Sequence, residues 1–449
     1  MHNTLVIILA AGMGTRMNSD KIKVLHKIAG KPMINYVIDQ AYNLSNDVVC
    51  VVGHQSEKVK NELDEYQNLN FVYQKKQLGT GHAVMQAKDY IESHNGPVLI
   101  LYGDTPLLKQ ETLISLIDKH IEERAGMTVL TSRLKNPTGY GRIIKDEHGQ
   151  LIDIIEEQDA GPKIKEIKEI NTGLYCFSSG LLIEALNDLD NDNNQGEYYL
   201  PETMNHIKKD HKIITESADF EEIIGVNDRE DLAEAECIIR QRVNRKHMKN
   251  GVTLIDPKST YIESNVKIDK DVVIYPNNYI KSGTDIKRNV VIESNCLIDN
   301  AEVSEAVRVN HGSIILKSFI DKNTNVGPYA YIRPGTKIGI GCRIGNFVEL
   351  KKSKVGNESK VPHLSYVGNA VIGENCNIGA GTIFANYDGI DKHETVLGDN
   401  VFVGSNTTLV APVRLGNGSK TGAGSVVTKD VNDNSVVLGV PARLYKKNK

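Results

Sequence analysis

Short apolar runs alternate with amphipathic stretches along the first half of the chain. Amphipathic segments such as Met33–Tyr42 and Gly81–Ser93 predict helices. Four apolar runs have the length and β-branched content of buried strands: Leu5–Leu9 (LVIIL), Val48–Val52 (VVCVV), Val98–Leu101 (VLIL) and Met127–Leu130 (MTVL). This alternation predicts a mostly parallel, Rossmann-like α/β sheet that binds ligands at the carboxyl ends of its strands.

A single long helix is predicted after this alternating region. Residues 229–250 (REDLAEAECIIRQRVNRKHMKN) contain no Gly or Pro, and their acidic residues precede their basic ones. That order complements the helix dipole, and Gly251 is a natural stop. We expect a helix that connects two domains, with boundaries 1–229, 230–250 and 251–449.

Beyond residue 251 the apolar period changes to six. Isoleucine recurs at every sixth position, at 262, 268, 274, 280, 286, 292 and 298. The register breaks near Ser304 and resumes at Val326, Ile332, Ile338, Ile344 and Leu350, and again at Leu397, Val403, Leu409 and Leu415. Six fits neither a helix nor a simple strand. It fits a hexapeptide β-helix, in which each unit forms one flat side and points its aliphatic residue inward.

Composition narrows the function classes. A chain of 449 residues predicts two or three domains, and its net charge of -4 disfavours nucleic acid or an anionic membrane as the main partner. No apolar run is long enough to span a membrane. The six cysteines form no CxxC pair or Cys/His cluster, so we expect buried free thiols, neither zinc nor disulfides, and a cytoplasmic location.

The first apolar run ends in an unusual glycine loop, ILAAGMGTRM. A signal peptide is disfavoured because no Lys or Arg precedes the short run. A dinucleotide fingerprint needs a third glycine where Met17 stands, and a P-loop needs Gly-Lys-Ser/Thr where Gly14-Thr15-Arg16 stands. The remaining interpretation is a loop whose backbone N–H groups and Arg16 guanidinium hold a phosphate chain.

The wider stretch LAAGMGTRMNSDKIKVLHKIAGKPM (9–33) resembles the signature of sugar-nucleotide pyrophosphorylases. QKKQLGTGHAV, LYGDTPLL, PTGYGRI, EINTGLY and GVNDR follow in the order of that family. The resemblance implies transfer of a nucleotidyl group from a nucleoside triphosphate to a sugar 1-phosphate. It implies a Mg²⁺ held by Asp104 and Asn227, and stabilisation of the leaving pyrophosphate by Arg16 and Lys23.

The same resemblance implies the substrate contacts of this domain. Gln74, Gly79 and Thr80 stand where the uridylyltransferases read uracil, and Gly141, Glu156 and Asn171 where they contact the sugar. The other implied substrate-binding residues are Leu9, Ala10, Ala11, Gly12, Lys23, Tyr102 and Asn227.

Polar residues collect in the second domain where the six-residue period loosens. A lone histidine is more often structural, but His363 stands among several polar residues, and the insertion NYDGIDKHET interrupts the repeat nearby. Loops on rigid scaffolds commonly carry function. From the repeat alone, a rigid scaffold and an acyltransferase both remain open.

The two domains together resemble the bacterial family of bifunctional N-acetylglucosamine-1-phosphate uridylyltransferases / glucosamine-1-phosphate N-acetyltransferases over nearly the full chain. The resemblance implies a left-handed parallel β-helix, a homotrimer, and the substrates acetyl-CoA, UTP and sugar phosphates. It assigns the general base to His363. It implies that Arg333 and Lys351 hold the sugar phosphate and that the sugar site is lined by Tyr366, Asn377 and Lys392. The acetyl-CoA contacts that it implies are Ala380, Asn386, Tyr387, Ser405 and Ala423.

Two positions depart from the family pattern. Gln158 stands where the family has a lysine near the sugar site. A coenzyme A arginine is expected at about Gly439, and Arg443 is the candidate to replace it in a tail that ends at Lys449. Two other hypotheses stay open: a nucleotidyltransferase whose β-helix only oligomerises, and a nucleotide-sugar sensing or scaffold protein.

Overall fold

The computed structural model describes residues 3–193 and 196–447, with the side chain of Lys447 left out. The chain forms two compact units, Met1–Ile239 and Arg240–Lys449. The division falls inside helix α10, Arg229–Lys249, which is the helix predicted over 229–250. Lys449, the last residue of the tail discussed above, lies outside the described residues.

The first unit is an α/β domain. Its strands are β1 (Leu5–Ala10), β2 (Lys27–Ile28), β3 (Lys31–Pro32), β4 (Asp47–Val52), β5 (Asn70–Tyr73), β6 (Pro97–Tyr102), β7 (Met127–Arg133), β8 (Arg142–Lys145), β9 (Leu151–Ile155), β10 (Glu169–Ser178) and β11 (Ile213–Ser217). Its α-helices are α1 (Met33–Leu44), α2 (Ser56–Glu62), α3 (Thr80–Met85), α4 (Lys88–Glu92), α5 (Gln110–Glu122), α6 (Pro162–Lys165), α7 (Ser179–Asn187), α8 (Met204–Ile207) and α9 (Phe220–Ile223). Short 3₁₀ turns cover Thr15–Met17, Lys23–Leu25 and Leu200–Thr203.

The main sheet has the strand order β11-β7-β10-β6-β1-β4-β5, and the β8–β9 hairpin joins it at β10. The four predicted apolar runs are its buried strands β1, β4, β6 and β7. The sheet is mostly parallel, as predicted, and within the main order the exception is β10, which runs antiparallel to β6, β7 and β8. The β8–β9 hairpin and α6 connect β7 to β10, and this connection reverses the direction of the chain, whereas a parallel return requires a crossover over the sheet.

The predicted helices agree with the structure apart from one division. The expected Met33–Tyr42 helix is α1, which extends to Leu44. The segment Gly81–Ser93 is two short helices, α3 and α4, separated at Gln86 and Ala87. Ala87 is fully buried, so the break lets both helices pack against the core.

The second unit is a coil of short parallel strands in three walls. The first wall contains Thr253–Leu254, Val273–Ile274, Val291–Ile292, Arg308–Val309, Asn325–Val326, Arg343–Asn346, Lys360–His363, Asn377–Ile378, Phe402–Val403, Lys420–Thr421, Ser435–Leu438 and the antiparallel Arg443–Lys447. The second contains Tyr261–Ile262, Tyr279–Ile280, Leu297–Asp299, Ile314–Leu316, Tyr331–Ile332, Glu349–Lys351, Tyr366–Gly368, Ile383–Ala385, Thr408–Val410 and Val426–Val427. The third contains Lys267–Ile268, Asp285–Ile286, Glu302–Val303, Phe319–Ile320, Lys337–Ile338, Lys354–Val355, Ala370–Ile372, Thr395–Leu397 and Val413–Leu415.

The inward-pointing aliphatic residues of this β-helix continue without interruption at the point where the six-residue period breaks. Ile298 is followed by the inward residues Val303, Val309 and Ile315, all of them fully buried. The six-residue period does break near Ser304, but the walls of the coil continue through that point. The corner between the second and third walls is one residue shorter there, and Asn300 makes the tighter turn in a left-handed conformation (φ 48°).

A second buried position lies two residues before the aliphatic one in many of the units. Cys296, Cys342 and Cys376 occupy it and are buried. Cys50 and Cys176 are buried in the sheet of the first unit. The expectation of buried thiols is wrong only for Cys237, which is partly exposed on α10.

Candidate active sites

The first candidate site lies where β1 and β6 end. The N–H of Gly103 donates to the carbonyl of Leu9 (2.9 Å), which holds the two strand ends together. Asp104 follows directly, and its carbonyl accepts a hydrogen bond from the N–H of Val226 (2.9 Å). The segment around residue 226 is therefore fixed beside Asp104, although 122 positions separate them in the sequence.

Two cations and two oxygen ligands converge at this point. The Lys23 ammonium forms an ion pair with the Asp104 carboxylate and lies 3.4 Å from Asn227 Oδ1. Arg16 Nη2 donates to the same Asn227 oxygen at 2.9 Å. The N–H of Asn227 donates to Asp231 Oδ2 (2.8 Å), which fixes the turn that carries Asn227.

The donor set fits a divalent cation that keeps most of its water. One carboxylate and one amide oxygen, from Asp104 and Asn227, face a single cationic atom. Such hard oxygen ligands, few in number, are typical of Mg²⁺ bound with substrate phosphates. Within 3–193 and 196–447, no group of three or more His, Cys, Asp or Glu side chains could hold a metal.

Two cavities meet beside this cluster. The smaller, of about 230 Å³, is lined by the predicted residues Leu9, Ala10, Ala11, Gly12, Lys23, Gln74, Gly79, Thr80, Tyr102 and Asp104. The larger, of about 680 Å³, is lined by the predicted residues Arg16, Gly141, Glu156, Asn171 and Asn227. Thr80, Tyr102 and Asp104 border both cavities, so all of the predicted residues of this domain surround one continuous space.

The smaller cavity has a buried amide at its wall. Gln74 Nε2 donates to the carbonyl of Gly79 (3.2 Å) and lies 3.0 Å from Nδ1 of His82. Gly79 has φ 102°, and a Cβ there would come within 2.6 Å of the Tyr198 carbonyl oxygen. Only glycine fits this close approach.

The larger cavity presents polar groups from β10 and from the segments next to β8 and β9. The N–H of Asn171 donates to the carbonyl of Gly141 (2.9 Å), and Asn171 Nδ2 donates to the Tyr175 hydroxyl (2.7 Å). Burial, with the nearby charge of Asp159, raises the pKa of Glu156. A carboxylate in such surroundings accepts hydrogen bonds from sugar hydroxyls more strongly than it does in open water.

Sequence reasoning did not identify Gln77 and Glu197 as residues of this site, and one residue of the glycine-loop motif, Lys31, lies outside it. Gln77 donates from Nε2 to the Ala11 carbonyl (3.4 Å), and Glu197 borders the smaller cavity. Gln77 stands inside the QKKQLGTG stretch, so the motif itself could have indicated it, whereas Glu197 follows no motif. Lys31 of the Gly-Lys-Pro turn forms an ion pair with Asp39 of α1 and lines neither cavity.

The second candidate site follows one corner of the β-helix. Asn346 pairs in register with His363. Along this corner, which we call the His363 ridge, one residue per coil accepts a backbone hydrogen bond from the next coil through its carbonyl: His363, then Ala380, then Ser405. Ala423 follows Ser405, because the N–H of Gly424 donates to the Ser405 carbonyl (2.8 Å). The structure thus aligns the predicted base with three predicted acetyl-CoA contacts along the coil axis.

His363 is oriented by a residue that sequence reasoning missed. Its Nδ1 lies 2.7 Å from Asn346 Oδ1, one coil earlier. An acceptor at Nδ1 selects the tautomer with a proton on Nδ1, which leaves the lone pair on Nε2 at an exposed position. The spacing of 17 residues matches the length of one coil, but no sequence motif marks Asn346.

A cation cluster lies on the second wall and its adjoining loop. Arg333 Nη1 donates to Glu349 Oε1 at 2.7 Å, and this bond raises the pKa of Arg333. Contact with the Lys392 ammonium, and then the charge of Arg333, lowers the pKa of Lys351. Three cations that repel one another form a prepared site for an anion such as a sugar phosphate.

The inserted loop that carries Lys392 is ordered by its own hydrogen bonds. Asp388 Oδ1 accepts from the N–H groups of Ile390 and Asp391, and Oδ2 lies 2.7 Å from His393 Nε2. Tyr387 and Lys392 form an antiparallel bridge across the loop.

The remaining predicted residues of this domain lie on different faces. Asn386 is buried and donates to Asn369 Oδ1 (2.8 Å), whereas Tyr387 is exposed. Tyr366 pairs in register with Glu349 beside the cation cluster. Asn377 lies on the outer face of the first wall, between Lys360 and Phe402 in register.

The backbone at the end of the β-helix explains why Gly439 stands where an arginine is expected. Gly439 has φ 101°, a conformation that an arginine adopts only with strain. Arg443 begins the strand that pairs antiparallel with Ser435–Leu438, with its α-carbon opposite Leu438. The structure therefore places the only arginine near this end on the closing strand of the first wall, within the part of the chain it describes.

The chain is similar to known proteins over its whole length. Residues 5–226 match the nucleotidyl transferase family model, and residues 314–418 match the model of the GMPPB C-terminal domain. A relative from Acetivibrio thermocellus named "Bifunctional protein GlmU" is 45% identical over 100% of this chain and 97% of its own. Relatives of the same name from Clostridium perfringens (47%, over 97% of this chain and 96% of theirs) and Listeria monocytogenes (46%, over 100% and 98%) agree. Among the described residues, no helix is both long and apolar enough to cross a membrane.

Proposed function

The chain belongs to the family of bifunctional GlmU proteins, and from this premise we propose that it makes UDP-N-acetylglucosamine in two steps. The first step transfers acetyl from acetyl-CoA to glucosamine 1-phosphate. The second transfers uridylyl from UTP to N-acetylglucosamine 1-phosphate and releases pyrophosphate. The predicted fold class, a nucleotidyltransferase domain followed by a connecting helix and a left-handed parallel β-helix, is confirmed.

We assign uridylyl transfer to residues 1–229 and acetyl transfer to residues 251–449, with 230–250 as the linker. The observation that carries the first assignment is the meeting of the two cavities at Thr80, Tyr102 and Asp104. A nucleotide in the smaller cavity and a sugar phosphate in the larger one would bring their phosphates together beside Lys23 and Asp104. Holding two reactants in this way supplies much of the rate enhancement in phosphoryl chemistry.

Residues of the chain then assist the displacement. The sugar phosphate oxygen attacks the α-phosphorus of UTP, and the bond to pyrophosphate breaks. Arg16 and Lys23 stabilise the charge that develops on the leaving group. Asp104 and Asn227 would hold the divalent metal, for which we propose Mg²⁺, and the bound ion would neutralise phosphate charge.

The second assignment depends on the ridge that carries His363. Arg333, Lys351 and Lys392 hold the phosphate of glucosamine 1-phosphate, and Nε2 of His363 takes a proton from the attacking amine. The new C–N bond forms at the thioester carbonyl, the C–S bond breaks, and coenzyme A leaves as its thiol. We place coenzyme A along Ala380, Ser405 and Ala423, because these residues continue the His363 ridge at one residue per coil.

We propose that the protein acts as a homotrimer in the cytoplasm, where acetyl-CoA and UTP are available. Three bulky residues directly follow the His363 ridge in the left-handed backbone conformation: Tyr329, Phe347 and Leu364, with φ of 53°, 55° and 48°. They are 50%, 57% and 59% exposed. Bulky residues in this conformation carry a backbone cost, and a group of large exposed side chains of this kind is typical of an interaction surface. A second copy of the chain against this ridge would bury them and enclose the acetyl-transfer site.

Two assays on the purified full chain test the proposal. Thiol release from acetyl-CoA with glucosamine 1-phosphate reports the first reaction, and pyrophosphate release from UTP with N-acetylglucosamine 1-phosphate reports the second. We expect both activities. Pyrophosphate release without thiol release would show a uridylyltransferase whose β-helix only oligomerises, and the absence of both would favour a sensing or scaffold protein.

A further inference from the structure

Arg142 has the most deeply buried charge in the described part of the first unit, and the mechanism above does not use it. It is 1% exposed and is the first residue of β8. Its guanidinium donates from Nη1 to the carbonyl of Tyr140, and Nη2 lies 2.7 Å from Glu157 Oε2. The Nε atom is buried without a hydrogen-bond partner.

The two partners of Arg142 belong to two separate walls of the larger cavity. Tyr140 precedes Gly141, and Glu157 follows Glu156, so each partner is one residue from a predicted sugar contact. Glu157 also accepts a hydrogen bond from the backbone N–H of Gly139, and its bond from Arg142 lowers the pKa of Glu157. The guanidinium therefore ties the loop before β8 to the end of β9.

The distance between these walls is small enough to matter for a ligand. A Cβ on Gly141 would come within 3.0 Å of Glu156 Oε1, so the backbone and the carboxylate nearly touch. A shift of either wall would change the position of the Glu156 carboxylate against a sugar ring. Binding sites lose affinity when their contacts move by about 1 Å.

Backbone pairing of Arg142 with Ile155 in the β8–β9 hairpin and the Asn171 N–H bond to the Gly141 carbonyl hold the end of the loop, and the residues before Gly141 have few further ties. Gly139 has φ 88° with open space around it, and the Tyr140 N–H donates only within the loop, to Pro137 at 3.2 Å. Arg142 is buried and the Glu157 side chain is 25% exposed, and an ion pair that is taken out of water even in part is a poor source of stability compared with apolar side chains of the same volume. The observed pair is better explained by the geometry that it fixes.

We propose that Arg142 is a positioning residue for the sugar phosphate: through Tyr140 and Glu157 it fixes the separation of Gly141 and Glu156. This rests on the proposed uridylyl transfer. Arg142 touches no substrate, so its removal changes recognition of the sugar phosphate and leaves recognition of UTP unchanged, since no predicted nucleotide contact lies in the segments that it joins.

The test is the kinetics of pyrophosphate release by the full chain with three variants. Arg142→Lys and Arg142→Met should raise the KM for N-acetylglucosamine 1-phosphate by about tenfold or more, with the KM for UTP unchanged and a smaller effect on kcat. Glu157→Gln keeps an acceptor for the guanidinium and should raise the same KM less. Arg133→Met, an exposed arginine at the end of β7, is the matched control.

A double variant separates positioning from folding. Arg142→Met with Glu157→Met leaves no unpaired buried charge and should restore the melting temperature, while the KM for the sugar phosphate stays raised. Recovery of that KM in the double variant, or an equal rise of the KM for UTP in Arg142→Lys, would overturn the proposal. A wild-type chain that released no pyrophosphate would instead overturn the proposed function, independently of Arg142.

Discussion

The ammonium of Lys23 and the carboxylate of Asp104 form an ion pair at the junction of two cavities, although 81 positions separate the residues. The same nitrogen lies 3.4 Å from Asn227 Oδ1. A cationic atom thus stands between the two oxygen ligands that a divalent metal would use. The pair joins the end of β6 to the segment after the glycine loop.

Replacing Asp104 tests the metal assignment. Asp104→Asn keeps the shape of the side chain and removes its charge, so we expect uridylyl transfer to fall by about a hundredfold or more at fixed Mg²⁺. Acetyl transfer should be unchanged. Full pyrophosphate release by the variant would show that the metal is held elsewhere.

Loss of His363 should separate the two reactions. His363→Ala removes the proposed base and should lower thiol release by about 10²–10⁴-fold, while UTP-dependent pyrophosphate release is retained. Asn346→Ala should cause a smaller loss, because Nδ1 loses its acceptor but the imidazole remains. Equal loss of both activities in His363→Ala would contradict the separation of the sites.

The backbone conformation of Gly14 predicts that a side chain at this position lowers the uridylyltransferase activity. Gly14 has φ 63°, and a Cβ there would lie 2.5 Å from Cβ of Lys23. Gly14→Ala should therefore displace Lys23 and lower kcat/KM for UTP by about tenfold or more. Gly180→Ala is the control, because its Cβ would meet nothing within 4 Å. Unchanged kinetics in Gly14→Ala would mean that this loop does not set the position of Lys23.

The cation cluster predicts a pH dependence of acetyl transfer. Because Lys392 and Arg333 lower the pKa of Lys351, this lysine loses its proton at a lower pH than an ordinary lysine. Its attraction for the sugar phosphate is complete below that pKa and is lost as the pH rises through it. The KM for glucosamine 1-phosphate should then rise at alkaline pH.

Lys392→Met tests whether the charge of Lys392 sets the pH at which this KM rises. It should raise the KM at neutral pH, because one cation is lost, and move the alkaline rise to higher pH. Lys354→Met removes an exposed lysine of the third wall and should change neither quantity. An alkaline rise that stayed in place in Lys392→Met would assign it to another group.

The exposed side chains of Tyr329, Phe347 and Leu364 predict the oligomeric state. Phe347 stacks on Tyr329 with ring centroids 5.6 Å apart and an angle of 6° between the planes. Phe347→Asp should shift the mass in light scattering from a trimer toward a monomer and abolish acetyl transfer while uridylyl transfer continues. Ile152→Asp, at an exposed position in the first unit, should leave the mass unchanged. A trimer that persists in Phe347→Asp would exclude the ridge as the interface.

Local pattern was sufficient for most elements. The apolar runs at Leu5 and Val98 are strands, and Arg229–Lys249 is a helix, because local propensity and burial favour the same structure there. The direction of β10 was not predictable, since it depends on whether a hairpin or a crossover helix precedes it. The period breaks near Ser304 because one corner is a residue shorter there, which alters the spacing along the chain without altering the wall.

The sequence by itself determined the two fold types, the order of the motifs and the residue types available to each reaction, because periodicity and glycine placement are local properties. Only the tertiary structure decided which residues meet. The pairing of Lys23 with Asp104, the Asn346 acceptor behind His363 and the Arg142 tie between two cavity walls join residues from different strands or coils. Strand pairing and coil stacking bring such residues together, and the pattern along the chain carries no record of those distances.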